Sequence, residues 1–255
     1  MNPVQYIGGK IVRFLTEFGE ISRLLERTFS FVPRLKRDRS LLLKQMEHIG
    51  TNSLPLVIII GFFTGMVSSW QAAEQFKGNI SFSLLGSAVS RAIFMELGPV
   101  LTAIVIAGRV GASIAAELGT MRVTEQIDAL ESLGISPIRY LSTPRVLAGT
   151  LMMPILTIFA NIIALFGAFI VANYFLNISD KIFFDSVKRY FHLKDIFGGL
   201  FKSIFFGGVT SLLGVHVGLR TTGGAEGVGK ACIRAFVLSA AMVLILDYVL
   251  WTIIF

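Results

Sequence analysis

The feature that most constrains this chain is an apolar segment that runs directly into a charged one. Residues 97 to 116 hold a single charged side chain, Arg109, and are long enough to cross a bilayer as a helix. Residues 121 to 133 then combine charged and apolar side chains at helical spacing. Gly134 and Pro137 follow, and both are typical helix-ending residues. The sequence predicts a membrane span that delivers a short helix to one membrane face.

This short helix, residues 121–133, has two interpretations. About three turns of helix are marginally stable alone in water, so the helix needs a surface to pack against. One interpretation is a solvated loop helix that rests on its own protein. The other is a docking helix for a soluble partner, and the residues alone leave both open.

Composition places the chain among polytopic membrane proteins. Apolar residues make up 54% of it and charged residues only 15%. The single cysteine, Cys232, excludes an internal disulfide, and the three histidines lie on separate segments, so no metal site is predicted. The formal charge of +7 comes largely from residues before the first span. This placement favours topology determinants and lipid-headgroup contacts, and we predict no nucleic-acid partner.

Hydropathy and turn residues predict an all-α fold with five transmembrane helices. Residues 1–50 are assigned to an interfacial amphipathic helix over 4–31 and a basic cytoplasmic connector. Residues 51–255 form the five-span domain, and the polar segment 177–194 is expected on the periplasmic surface. The predicted spans cover residues 53–72, 84–118, 146–176, 196–219 and 231–255.

The distribution of basic residues predicts the orientation. The N-terminal segment, the 119–145 hairpin and the 219–231 connection together carry fourteen lysines and arginines, whereas the opposite side carries five. Lysine and arginine are enriched on the cytoplasmic side of membrane proteins. We therefore expect the N terminus and the short helix in the cytoplasm and the C terminus in the periplasm.

Several ionisable residues fall at membrane depth, where each costs about 2.5–3.5 kcal/mol on insertion scales. They are Glu96, Arg109, Lys202, Arg234 and Asp247. Such residues are candidates for function, but mutual pairing that only holds the bundle together is an equal alternative. Arg109 has glycine neighbours, which favours a structural role in a close helix contact.

One block of sequence carries a resemblance to a known family. The run ELGPVLTAIVIAGRVGASIAAELGTMRVTEQIDALESLGISPIRYLSTPRVLAG, from Glu96, is similar to the signature of MlaE/YrbE permeases, the membrane subunits of ABC-type lipid transporters. It combines an intramembrane Glu, a Gly-Pro, an Arg-Val-Gly and an EQIDAL helix in one order. The likeness extends more weakly over nearly the whole chain.

The resemblance implies roles for particular residues. In the family the EQIDAL-type helix inserts into a groove on a separate ATPase, which implies this role for Thr124, Glu125, Gln126, Ile127, Asp128, Ala129 and Leu130. Family members line or support a lipid cavity at a dimer interface with residues that match Glu96, Lys202 and Asp247 here. Some members have Arg immediately before the Glu, whereas this chain has Met95.

The resemblance also implies the assembly. It implies a homodimer in a bacterial inner membrane, two copies of a cytoplasmic ATPase that bind ATP and Mg²⁺, and a periplasmic lipid-binding protein with an MCE domain. This chain itself is then a non-catalytic subunit without a cofactor, and its cargo is phospholipid.

The chemistry of a phospholipid suggests further cavity residues. Two apolar tails and a charged head require an apolar cavity with a few polar groups at its rim. Beside Lys202, an apolar wall is predicted from Leu97, Val100, Leu101, Tyr248 and Trp251. Gly98 and Pro99 are the predicted hinge of the second span, because proline removes a backbone hydrogen bond. We hypothesise that the ATPase pushes the short helix and tilts this span.

Two other classes of function fit the sequence less well. A proton-coupled secondary transporter of a lipophilic substrate would use Glu96 and Asp247 as proton sites, but five spans do not divide into matched inverted halves. A lipid-modifying enzyme would need a paired nucleophile or acid, and no such motif is present. The run Gly224–Ala231 nearly spells a P-loop, yet its eighth position lacks a hydroxyl, so it predicts a cytoplasmic turn.

Overall fold

The computed structural model describes residues 3–33, 39–77 and 81–254, and the regular structure in these ranges is helical. The elements are α1 (Pro3–Ser30), α2 (Arg39–Ile49), α3 (Leu54–Phe76), α4 (Leu85–Ala92), α5 (Gly98–Ile106), α6 (Ala112–Val123), α7 (Gln126–Ser132), α8 (Thr143–Tyr174), α9 (Asp180–Arg189), α10 (Leu193–Leu219) and α11 (Gly224–Ile254). Short 3₁₀ turns precede α3 and α4, and π-helical turns separate α4 from α5, separate α5 from α6 and precede α8.

Five helical stretches are long and apolar enough to cross a membrane, as predicted. They are Arg39–Phe76, Phe82–Val123, Ile138–Tyr174, Leu193–Leu219 and Gly224–Ile254. The first begins earlier than expected, because the 3₁₀ turn Thr51–Ser53 joins α2 to α3 almost without interruption. The last also begins earlier: α11 starts at Gly224, so the expected turn over the P-loop-like run is largely helix.

Close packing around α8 and α10 forms the centre of the bundle. Helix α8 packs against both α3 and α10, while α10 also contacts α6 and α11. Glycine makes two of these contacts possible. A Cβ atom on Gly65 would lie 1.7 Å from the carbonyl oxygen of Ala164, and one on Gly207 would lie 2.3 Å from that of Gly149. The backbones therefore touch where a side chain would hold them apart.

Replacing Gly65 by alanine is expected to lower the melting temperature of the detergent-solubilised protein by several degrees. The methyl group meets backbone rather than a flexible side chain, so α3 and α8 must separate, and overpacking of this kind costs about 1–3 kcal/mol. Gly229→Ala is the matched control, since a Cβ atom there would have no neighbour within 4 Å among the described residues. Alanine there should be neutral or stabilising, by up to about 1 kcal/mol. Equal destabilisation by both changes would contradict the close packing.

The predicted amphipathic N-terminal helix is present as α1. Its exposed apolar side chains form a stripe along the helix, Val12, Leu15, Phe18, Leu25 and Phe29. On another face, Glu17 and Glu20 form ion pairs with Arg234 and Arg220, and Leu24 is buried. Ile21, expected on the apolar face, instead packs on the bundle core. Residues 34–38 of the predicted basic connector lie outside the described residues.

The predicted single helix over 121–133 is in fact divided. Helix α6 continues to Val123, and the backbone then reverses at Glu125, which adopts a left-handed conformation with φ of 60°. Helix α7 occupies only Gln126–Ser132. A left-handed residue cannot continue a right-handed helix, so Met121 to Val123 belong to the span and α7 projects as a separate element.

Gly134 ends α7 as predicted. It has φ of +73°, its amide donates to the carbonyl of Glu131, and the amide of Ile135 donates to that of Leu130, both at 2.9 Å. This is the Schellman arrangement, in which glycine supplies the left-handed residue.

The polar segment after α8 folds into α9. Because α7 precedes α8 and α9 follows it, the two short helices lie at opposite ends of α8. Phe183 is buried against α4, where a Cβ on Gly86 would lie 2.4 Å from its carbonyl oxygen. The hydroxyl of Ser186 accepts a hydrogen bond from the amide of Ser87 at 3.0 Å. Phe183 and Ser186 thus anchor this segment to the bundle.

Candidate functional site

Three ionisable residues from three spans meet inside the bundle. The Lys202 Nζ atom donates to Glu96 Oε2 at 2.8 Å and to Asp247 Oδ1 at 2.7 Å. The lysine side chain is 0% exposed, whereas those of Glu96 and Asp247 are 33% and 20% exposed. The Trp251 ring centre lies 5.2 Å from Nζ, within the range of a cation–π contact. The structure therefore brings together the three predicted cavity charges, and they are paired with one another.

The glycines of α10 explain why this cluster can form. A Cβ atom on Gly199, one turn before Lys202, would lie 2.1 Å from the carbonyl oxygen of Phe94 and 3.1 Å from Pro99 Cγ. Phe94 and Glu96 belong to the π-helical turn Ile93–Leu97. Because glycine lets α10 touch this turn, the Glu96 carboxylate comes within hydrogen-bonding distance of Lys202.

The predicted hinge is closely packed rather than open. Gly98 and Pro99 are buried at the start of α5, and the preceding π turn accommodates a proline that has no amide to donate. A Cβ atom on Gly98 would lie 1.8 Å from Asn161 Oδ1, a buried atom without a hydrogen-bond partner among the described residues. The hinge role of Gly98 and Pro99 stays a prediction.

The apolar wall predicted beside Lys202 is divided in the structure. Leu97 and Leu101 line a different groove, of about 420 Å³, with Ile59, Phe63 and Val67 of α3. Val100 packs on the bundle core. Tyr248 is 72% exposed on the outside of α11, and of the five predicted wall residues Trp251 has a described contact with Lys202.

A second apolar groove, of about 460 Å³, was missed by sequence reasoning. It lies between the first half of α10 and the end of α11 and includes Phe197, Phe201 and Ile254. Phe197, Phe201 and Phe205 follow one another at helical spacing and are all exposed. The spacing of these phenylalanines was the sequence signal for the groove. Within a membrane span, however, the same spacing is also expected of a surface that faces lipid.

Helix α7 is anchored by two residues and exposed elsewhere. Ile127 is 3% exposed and belongs to the same buried cluster as Leu118 and Leu141, and Leu130 packs against that cluster. The other residues predicted to couple to the ATPase are exposed: Thr124, Glu125, Gln126, Asp128 and Ala129. Helix α7 therefore rests on its own protein, as the first interpretation of the short helix predicted, and its docking to a soluble partner stays a prediction.

Polar contacts fix the bundle around α7. Arg145 is buried and donates to Glu117 Oε2 at 2.9 Å and to the Leu141 carbonyl at 3.0 Å. Arg109 donates to Ser53 Oγ and, at 3.4 Å, to the His48 carbonyl. The Arg145 contacts join α8 to α6, and the Arg109 contacts join the π turn Ala107–Gly111 to the α2–α3 junction. The structural role of Arg109 stays a prediction.

Comparison with known proteins identifies this arrangement. Residues 42–253 match the family described as Permease MlaE. The chain belongs to the MlaE permease family. It is thus the non-catalytic, multi-pass membrane subunit of an ABC transporter, and family membership implies a separate ATPase subunit.

Relatives of this MlaE-family permease come from several lineages. It is 43% identical to a probable ABC transporter permease protein of Synechocystis over 82% of this chain and 79% of that protein. It is 30% identical, over the whole chain and 98% of the relative, to the intermembrane phospholipid transport system permease protein MlaE of Haemophilus influenzae. It is 38% identical to the chloroplastic protein TRIGALACTOSYLDIACYLGLYCEROL 1 of Arabidopsis thaliana, over 82% of this chain and 59% of that protein.

Proposed function

We propose that this permease moves phospholipid between a bacterial inner membrane and a periplasmic lipid-binding protein with an MCE domain. ATP hydrolysis by a separate cytoplasmic ATPase drives the movement, and that ATPase holds the ATP and Mg²⁺. The working unit is a homodimer of this chain with two ATPase copies. The phospholipid cargo is supported by the name of the Haemophilus influenzae relative, an intermembrane phospholipid transport permease.

The main support for the proposal comes from α7, which is buried on one side and exposed on the other. Ile127 is buried in the bundle core, while Leu133, just after the helix, is 75% exposed and Ile135 is 40% exposed. Exposed apolar residues on a short projecting element are typical of a protein-binding surface. Ile127 of α7 and Leu118 of α6 belong to one buried cluster. A force applied to the exposed side of α7 is therefore transmitted to the membrane spans.

The charge distribution supports the orientation. The α7 side carries fourteen lysines and arginines and the α9 side five, which supports a cytoplasmic position for α7 and the N terminus and a periplasmic position for the C terminus. Helix α7 then faces the compartment that supplies ATP.

The geometry of the Glu96, Lys202 and Asp247 cluster supports a mechanism by which a tilt of the second span changes lipid binding. Glu96 lies on the π turn directly before Gly98 and Pro99, whereas Lys202 and Asp247 lie within the continuous helices α10 and α11. A tilt of the second span at this turn lengthens the Glu96–Lys202 contact more than the Asp247–Lys202 contact. Lys202 is then released to meet a lipid phosphate, beside the apolar surfaces that accept the tails.

Reconstitution of the permease into vesicles with its co-purified ATPase tests the proposal. We expect transfer of labelled phospholipid to or from the periplasmic lipid-binding protein to require ATP and to be insensitive to a collapsed pH gradient. Vesicles with the permease alone are the control and should show no transfer. Transfer by the permease alone under a pH gradient would instead support the proton-coupled alternative.

A further inference from the structure

A small cleft with an excess of positive charge lies between α1 and the C-terminal end of α10. Its volume is about 240 Å³, equal to roughly eight water molecules at ~30 Å³ each. The polar residues that line it are Glu20, Arg23, Arg27, His216 and Arg220. Three arginines thus face a single carboxylate.

Two of these arginines are available for a ligand. Arg220 forms an ion pair with Glu20. Arg23 and Arg27 are four residues apart on α1, so they lie on one side of the helix. Both are exposed, and within residues 3–33, 39–77 and 81–254 neither forms an ion pair with a carboxylate.

The carboxylate of Glu20 is already engaged in the cleft, because Oε1 pairs with Arg220. A ligand that fills the cleft therefore needs a negative group that can pair with Arg23 and Arg27.

The surroundings point to a lipid as the source of that ligand. Phe18, Leu25 and Phe29 are exposed on a different side of α1 from the cleft, and an amphipathic helix of this kind lies at the depth of the lipid headgroups. Basic pockets next to membrane spans on the cytoplasmic side are typical binding sites for anionic headgroups. The cleft is distinct from the Lys202 cluster, because Arg220 lies 18 residues further along the chain, about 27 Å along a helix axis.

We propose that this cleft binds the headgroup of an anionic phospholipid of the phosphatidylglycerol type. Its phosphate is held by the Arg23 and Arg27 guanidinium groups. The bound lipid connects α1 to α10. The assignment is independent of the transport cargo, and it rests on the proposed cytoplasmic position of the N terminus.

Binding to nanodiscs or micelles of defined lipid composition tests this site. Native mass spectrometry of the wild-type chain should show retained phosphatidylglycerol in preference to phosphatidylcholine. Each arginine near a membrane surface contributes about 1 kcal/mol, so R23Q/R27Q should bind phosphatidylglycerol roughly 30-fold more weakly. The variant K181Q/K188Q is the control, since it removes two exposed lysines from α9 and should leave retention unchanged.

A second variant separates the charge of the two arginines from their bidentate geometry. R23K/R27K keeps the charge but loses the bidentate geometry, so its retention should fall between wild type and R23Q/R27Q. This variant also provides the measurement if R23Q/R27Q does not fold. Equal retention of phosphatidylglycerol by all variants would overturn the site. Arginine-dependent binding of inorganic phosphate without preference between the two lipids would also overturn it, because a soluble anion would then be the ligand.

Discussion

Replacing Lys202 by methionine is expected to destabilise the permease strongly and to abolish lipid transfer. The lysine is the shared partner of Glu96 and Asp247 and is 0% exposed. Its removal leaves two carboxylates close together at membrane depth without a cation. Breaking a buried ion pair in this way costs about 3–5 kcal/mol, which thermal unfolding of the purified protein would detect.

The triple variant E96Q/K202M/D247N separates stability from function. It removes all three charges together, so no carboxylate is left at membrane depth without a cation. We therefore expect its melting temperature to return close to wild type while ATP-dependent lipid transfer remains absent. Lys181→Met, at an exposed position on α9, is the control for loss of one lysine. Normal transfer by the triple variant would show that the cluster only holds the bundle together.

Ala129→Arg is expected to prevent the ATPase from binding. Ala129 is exposed on α7, one helical turn before Leu133, so a long charged side chain there obstructs the proposed docking surface. Disruption of a central interface position typically costs about 2 kcal/mol or more, so ATPase co-purification should fall about 30-fold. Folding should be preserved, because substitutions at exposed positions usually change stability by about 0.5 kcal/mol or less.

Asp185→Arg on α9 is the matched control for this variant. It places the same side chain on an exposed position of a short surface helix at the other end of α8, where no ATPase is expected. Co-purification should remain at the wild-type level. Unchanged ATPase binding by Ala129→Arg, or labelling of Leu133→Cys only from the periplasmic side, would contradict docking through α7.

The residues alone allowed the intramembrane charges to pair, but they could not show which of these charges pair with one another. Lys202 lies 106 positions from Glu96 and 45 from Asp247 in the chain, and it approaches Glu96 only because Gly199 lets α10 touch the π turn. Likewise, Leu97 and Tyr248 were predicted to line one wall of the lipid cavity. In the structure Leu97 lines a groove with α3, whereas Tyr248 is exposed on α11. Periodicity identifies an apolar face without stating what it contacts.

Local signals, by contrast, were sufficient for the elements themselves. The five spans follow from the length and hydropathy of their segments, because a bilayer accepts only helices that satisfy their own backbone hydrogen bonds. Gly134 and Pro137 predicted the end of α7, and Gly134 adopts the left-handed conformation there, which glycine does most readily. Tertiary structure decided the division of α6 from α7 at Glu125, the burial of Ile127 and the pairing of Lys202, because each depends on which helix surfaces meet.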